Sequence, residues 1–211
     1  MQVTWLGHAS FLIHAAGKAI YIDPYVGEYT EIADLILVSH RHADHCDLDK
    51  IQLIRGPDTQ IITSQDCASV IPGDVMTLQP GDVWETNGLS IEAVEAYNFT
   101  RFRSPGVPYH PRGIQIGFIV AADGARVYHV GDTDLIPEMQ AIHDIDILLL
   151  PIMGRATMDR AEAVRTALVI QPRIAMPMHW RDVDPWPFKE QVEAQSDVQV
   201  RVLADGDGIT P

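Results

Sequence analysis

Cysteine is nearly absent from this sequence: Cys46 and Cys67 are its only two. Two thiols far apart in the chain make neither a disulfide framework nor a CxxC zinc site, so a reduced, cytoplasmic setting is expected. Long apolar runs are also lacking. The longest, Ile145 to Met153, is interrupted by Asp146 and Pro151. It falls well short of the roughly 20 residues that span a bilayer, so no membrane span is expected. The opening Met-Gln-Val-Thr-Trp reads as the start of a strand, with no basic or apolar leader, so no secretory signal is expected. Positive charge is scarce: 15 Lys and Arg against 29 Asp and Glu leave a net charge of −14. Such a chain repels phosphate backbones, which disfavours nucleic acid as a partner. No Gly-x-Ser-x-Gly elbow and no phosphate-binding loop is present, and Val130-Gly131-Asp132 is not a dinucleotide fingerprint.

What is there is a globular composition. Hydrophobic residues make up 46% of the 211 and charged residues 21%, with no shift along the chain to mark a second domain. A single domain over 1–211 is expected. Short β-rich runs are expected as strands at Val3–Trp5, Phe11–His14, Ala19–Ile22, Leu35–Val38, Ile61–Thr63, Val83–Thr86, Leu89–Ala96, Ile114–Val120, Arg126–Val130, Ile147–Leu150, Ile174–Met178 and Val198–Leu203. Helices are fewer. Met158–Ile170 has helical spacing of Ala161, Val164, Ala167 and Leu168, a cap at Thr157 or Asp159, and Pro172 as a stop. Leu48–Ile54 and Phe188–Ala194 are shorter candidates. Two sheets with outer helices suit this pattern. Arg101–Arg112, with Pro105, Pro108 and Pro111, reads as a surface connection, and Arg101, Arg103 and Arg112 as its solvated charges.

The strongest chemical signal is His40-Arg41-His42-Ala43-Asp44-His45. Four potential ligands follow directly on the apolar run Asp34–Ser39, a strand that would deliver them at its C-terminal end. Imidazole and carboxylate together suit zinc, manganese or iron. Asp132 follows an apolar strand and a glycine, which places it at a sheet edge. His179 ends another apolar run.

His-x-His-x-Asp-His after a hydrophobic strand resembles the signature of the metallo-β-lactamase-fold hydrolases. Trp5-Leu6-Gly7-His8-Ala9-Ser10, Ile22-Asp23-Pro24, Tyr128-His129-Val130-Gly131-Asp132-Thr133 and Pro177-Met178-His179-Trp180 resemble further motifs of that family, in order. The branch is similar to the small hydrolases related to ascorbate-6-phosphate lactonase and N-acyl-phosphatidylethanolamine phospholipase D. The resemblance implies a four-layer αβ/βα sandwich with a dinuclear metal site. His40 and His42 would bind the first cation, Asp44, His45 and His179 the second, and Asp132 would bridge them. Two divalent ions, zinc or manganese with iron as a further option, would activate water against an ester, a lactone or a phosphodiester, with Asp44 orienting the nucleophile. A nuclease of the same fold, a thiolester hydrolase of the glyoxalase type and a non-catalytic metal-binding protein are the rival readings. A small-molecule substrate is expected; the sequence does not specify an oligomeric state.

One position departs from the family pattern. The third histidine of the first cation is expected in the loop after Leu89–Ala96, where this chain has Ala96-Tyr97-Asn98. Asn98 through its amide oxygen, or His110 from the proline-rich stretch, would take its place. An amide oxygen would leave the His40–His42 side the weaker of two unequal sites, and His110 would bring the two together. Asp23 is the expected acceptor for a ligating histidine's other ring proton. His8 is expected to face the substrate, His129 to be a core histidine, His14 and His143 to be structural or surface residues, and Cys46 to be a packing residue.

Overall fold

The computed structural model describes all residues 1–211. The first half runs β1 (Gln2–Gly7), β2 (Ser10–Ala15), β3 (Lys18–Ile22), β4 (Ala33–Val38), α1 (Leu48–Ile54), β5 (Arg55–Thr63), α2 (Gln65–Ala68) and β6 (Met76–Thr77). The second runs β7 (Val83–Thr86), β8 (Leu89–Ala96), β9 (Phe102–Ser104), β10 (Val107–Pro108), β11 (Gln115–Ala122), β12 (Ala125–His129), β13 (Ile147–Pro151), α3 (Arg160–Ile170), β14 (Ile174–Met178), α4 (Trp186–Glu193), β15 (Gln199–Val200) and β16 (Gly208–Ile209). A 3₁₀ turn covers Pro137–Ala141.

These strands form two seven-stranded sheets, ordered β16-β1-β2-β3-β4-β5-β6 and β15-β14-β13-β12-β11-β8-β7. Each is antiparallel on one side and parallel on the other: β1-β2-β3 and β7-β8-β11-β12 alternate in direction, whereas β3-β4-β5-β6 and β12-β13-β14-β15 run parallel. Parallel strands must be covered on both faces, and their composition follows. In β4, Leu35 and Leu37 join the core between the sheets, while Ile36 and Val38 pack against Ile51 and Ile54 of α1. On the outer face of the second sheet, Ala163, Val164 and Ala167 of α3 and Phe188 and Val192 of α4 belong to the main core. The result is the four-layer helix–sheet–sheet–helix sandwich of the metallo-β-lactamase fold. No helix is long and apolar enough to cross a membrane.

The helices start where capping chemistry allows. Asp47 accepts from the Asp49 and Lys50 amides ahead of α1, and Asp159 accepts from the Glu162 amide ahead of α3. The α3 start thus falls at Arg160, and Asp159 rather than Thr157 is its cap. The predicted last strand shrinks to Gln199–Val200, and α2 was not legible, because four residues carry no period to detect.

Two expectations are corrected. Arg101–Arg112 is not a bare surface connection. Its Phe102–Ser104 and Val107–Pro108 segments pair as a hairpin, and it ends on His110, which is only 3% exposed. The two cysteines are not isolated either: both are buried, with sulfurs 3.2 Å apart, in the layer between the first sheet and its helices. The chain folds back through β5 to bring them together, which spacing in sequence does not reveal.

Candidate metal centre

Parallel strands end at the sheet edge where their connections begin, and the candidate residues lie at those ends. The His40–His45 turn follows β4, Asp132 follows β12 and His179 follows β14. Gly131, at φ +69°, adopts the left-handed backbone that turns the chain at Asp132. His8, Asp23 and His179 also sit at left-handed φ values of 52°, 46° and 48°, which non-glycine residues rarely adopt. The His179 amide donates to the His8 carbonyl at 2.9 Å, locking the turns of the two sheets together.

The donors gather into two groups. His40, His42, His110 and Asp132 form one, and His8, Asp44, His45 and His179 the other; within each group the donor atoms lie within 4.8 Å of one another. In the first, the His42 Nδ1 stands 3.0 Å from the His40 Nε2 and 3.1 Å from the His110 Nε2. Tetrahedral nitrogen ligands at about 2.0–2.1 Å from zinc stand roughly 3.3 Å apart, so the spacing suits a cation. Asp132 reaches both groups. Its Oδ2 lies 3.7 Å from the His110 Nε2 and 3.5 Å from the His179 Nε2, and its Oδ1 lies 3.4 Å from the His45 Nε2. In the second group Asp44 lies 3.2 Å from the His8 Nε2 and 3.8 Å from the His179 Nε2.

Behind these atoms stands a supporting layer. The His45 Nδ1 lies 2.8 Å from the Asp23 carboxylate, which also accepts from the Ser39 amide and hydroxyl at 2.7 Å. The Ser39 hydroxyl is 3.0 Å from the His40 Nδ1. The His110 Nδ1 lies 2.8 Å from the Asn98 side-chain oxygen, which also accepts from the His110 amide. Asn98 thus spends its oxygen on His110 instead of facing the donors itself. Its amide nitrogen donates to Asp134, which is buried and accepts further from Thr100 and Arg101. Sequence reasoning missed Asp134, Arg181 and Gln115. Asp134 was visible as the second aspartate of Gly-Asp-Thr-Asp, while Arg181, 3.0 Å from Asp44, and Gln115, which donates to the Asp132 carbonyl, gave no signal.

The electrostatics fit a cation. Burial opposes ionisation of Asp132, yet the nearby His179 and His45 rings hold its carboxyl well below the usual range. Burial also opposes a charge on His45, but Asp132 and Asp23 raise it well above the ordinary imidazole value. Burial lowers His40 and His110, and brings His179 down to about 4, leaving three neutral imidazoles at pH 7 with lone pairs to offer. The His45 Nε2, the Asp132 Oδ1 and both nitrogens of His179 are buried without a hydrogen-bond partner. Buried polar atoms are rarely left so, and a shared cation would satisfy the His45 Nε2, the Asp132 Oδ1 and the His179 Nε2, though not the outward His179 Nδ1. This set of imidazoles and carboxylates has the composition that borderline divalent ions prefer.

The remaining predicted residues take plainer roles. His129 is fully buried with its Nε2 3.0 Å from the Ala9 carbonyl, and exposed His14 lies 2.8 Å from Glu31. Cys46 points away into the helical layer. Trp180 stacks on Trp5 at 5.6 Å, and both line a cleft of about 250 Å³ with His8 and Arg181.

Residues 2–179 match the profile of the Beta-lactamase superfamily domain. The chain belongs to that superfamily. It is 33% identical to a metal-dependent hydrolase of Archaeoglobus fulgidus over 98% of this chain and 97% of the relative. Among solved structures it is similar to a protein of Parabacteroides distasonis described as a metal-dependent hydrolase, at 35% identity and a TM-score of 0.88, covering 95% of this chain and 91% of the other. It is also similar to Igni18, a metallo hydrolase of Ignicoccus hospitalis, at 26% identity and a TM-score of 0.81, covering 99% and 97% of the two chains.

Proposed function

We propose that this metal-dependent hydrolase of the β-lactamase superfamily cleaves an ester-type bond, a lactone or a phosphodiester, at a centre of two divalent cations. The reading rests above all on the convergence of three imidazole nitrogens, those of His40, His42 and His110, beside a carboxylate that also reaches His45 and His179. His40, His42, His110 and Asp132 would hold one cation, and Asp132, Asp44, His45 and His179 the other. Zinc or manganese suits the donors, with iron a further candidate. Bound there, the cations would supply Lewis acidity, polarising the scissile group and lowering the pKa of water toward roughly 7.

The protein's own residues do the rest. Asp44 is held ionised against the cost of its burial by His8, so it accepts a hydrogen bond from the attacking water and orients it. Asp132 stays ionised through its histidines and keeps the two donor groups in register. Asp23 fixes the His45 tautomer by accepting a hydrogen bond from its Nδ1–H, and the Asn98 side-chain oxygen does the same for His110. His8 sets the direction of Asp44 and lines the Trp5–Trp180 cleft, where one side of the substrate would lie. The chain acts as one domain in this reading, supported by a 45-residue core cluster that draws members from both sheets, from Val3 to Val200.

The test is metal analysis of protein purified without added metal, with turnover assays on γ-butyrolactone, p-nitrophenyl valerate and bis(p-nitrophenyl) phosphate. Two cations per chain are expected, with hydrolysis of at least one substrate that chelation abolishes and zinc or manganese restores. Chelation-resistant activity that disappears on replacing Ser39 or Cys46 would overturn the reading in favour of a nucleophilic residue.

A further inference from the structure

The two arginines that flank the Phe102–Ser104 hairpin in sequence are consumed by carboxylates. Arg101 pairs with Asp134 at 2.7 Å, with Asp159 at 3.1 Å and with Glu162. Arg112 pairs with Glu95 at 2.9 Å and Glu138 at 2.7 Å. Arg103, between them in sequence, is exposed and joins no ion pair, although the chain carries an excess of 14 negative charges. It lies on the hairpin that delivers His110 and lines a cleft of about 180 Å³ together with His40, His42 and His110. The other cation on this cleft, Arg41, is matched by Asp66 at 3.2 Å. Arg103 therefore carries the net positive charge of the opening above the first donor group. Tyr109, Pro111 and Ile114 line the same cleft together with the polar Gln115. Such a cleft combines an unpaired cation, a few apolar side chains and the histidines of the first donor group.

We propose that this cleft receives a substrate that carries an anionic group, carboxylate or phosphate, a short chain away from the bond that is cut, with Arg103 as the residue that selects it. The inference deepens the ester reading and rests on it for the position of the scissile bond. A cleft of about 180 Å³ is large enough for a short acyl chain with its terminal anion and too small for a large substrate. A guanidinium offers two parallel N–H donors to either oxyanion, and within a strongly acidic protein it is the local feature that turns repulsion of an anionic substrate into attraction.

The experiment compares three p-nitrophenyl esters of matched length: the neutral valerate, the mono-ester of glutaric acid, and the 4-phosphonobutyrate. Wild-type protein as purified is expected to favour an anionic ester in kcat/KM through a lower KM. Arg103→Gln should cut that preference, read as the ratio of anionic to neutral ester, by about fivefold, as suits an exposed ion pair worth up to ~1 kcal/mol. Arg103→Lys should restore most of it for a carboxylate. The ester that shows the larger ratio identifies carboxylate or phosphate as the natural anion. An unchanged ratio in Arg103→Gln, or no anionic preference in the wild type, would overturn the proposal. Calorimetric titration with glutarate and with methylphosphonate gives a readout without turnover: at least one should bind Arg103→Gln about fivefold more weakly. If no ester is cleaved but this difference holds, the ester reading falls and the anion site stands. If esters are cleaved and neither anion shows the difference, the anion site falls alone.

Discussion

The two donor groups are held in different ways. In the first, the His40 and His110 rings each turn one nitrogen inward and tie the other to a buried partner, Ser39 or Asn98, and behind Asn98 stand Asp134 and Arg101. In the second, only His45 is anchored so, on Asp23. The His179 Nδ1 is buried with no partner, and Asp44, 28% exposed, divides its oxygen between His8 and Arg181. A ligand whose outer atom is fixed loses little freedom when a cation binds. By this measure His40 and His110 make the first group the more rigid one, with His42 its exposed member, and the second, with the half-buried, doubly contacted Asp44, is the more adaptable.

The largest effect that can break this comparison comes from the residue shared by both groups. Asp132→Ala should remove both cations and take hydrolysis below detection, measured by metal content and turnover. Retention of one full equivalent of metal would show that Asp132 serves one group only. Single-group variants come next. His42→Ala and His179→Ala should each lower metal content by about one ion. Graded chelation of the wild type should remove metal in two steps, with the His179→Ala protein lacking the first, more weakly held one. A single step, or loss of the stronger step in His179→Ala, would reverse the assignment of rigid and adaptable sides.

That ordering departs from both expectations from sequence. With Asn98 as a ligand, the His40–His42 side would be the weaker; with His110 in its place, the sides draw level. The motif turn, Asp132 and His179 were legible because each follows an apolar strand, and a strand's C-terminal end fixes where its next residues lie. The four-layer sandwich was legible for the same reason, since β4, β12 and β14 carry strong patterns. What lay out of reach was the path of the segment between β8 and β11. Three prolines mark it as irregular but cannot say that Asn98 would turn its oxygen to His110, or that Arg101 would be drawn into the Asp134 and Glu162 carboxylates. Those contacts join residues dozens of positions apart, and no local period encodes them.

A smaller effect sharpens the role of that segment. Asn98→Leu keeps the volume and removes the acceptor for the His110 Nδ1 proton, while leaving Asp134 without one of its donors. Affinity at the first group should fall about 10- to 100-fold, the usual cost of losing an outer partner of a ligating histidine. The second step of graded chelation should move and the first should not. Asn98→Asp, which keeps the acceptor, should lose less toward the metal but destabilise the fold, because it faces Asp134 with a second carboxylate.

The smallest effect concerns a residue that belongs to neither group although it adjoins one in sequence. Cys46 follows His45, yet its side chain leaves the metal centre and packs with Ile51, Ile54 and Cys67 under the helices of the first sheet. Its thiol is pushed up by the contact with Cys67 and by burial, so it holds its proton at neutral pH and has no nucleophilic character. Its amide, in contrast, donates to the His42 carbonyl at 2.8 Å and helps close the motif turn. A substitution that spares the backbone therefore separates packing from chemistry. Cys46→Ala should leave metal content, both chelation steps and kcat/KM unchanged, and lower the unfolding free energy by about 1 kcal/mol for the buried sulfur it removes, read from the denaturant midpoint. A loss of activity without loss of stability would give the thiol a part in the reaction and place it back among the donors.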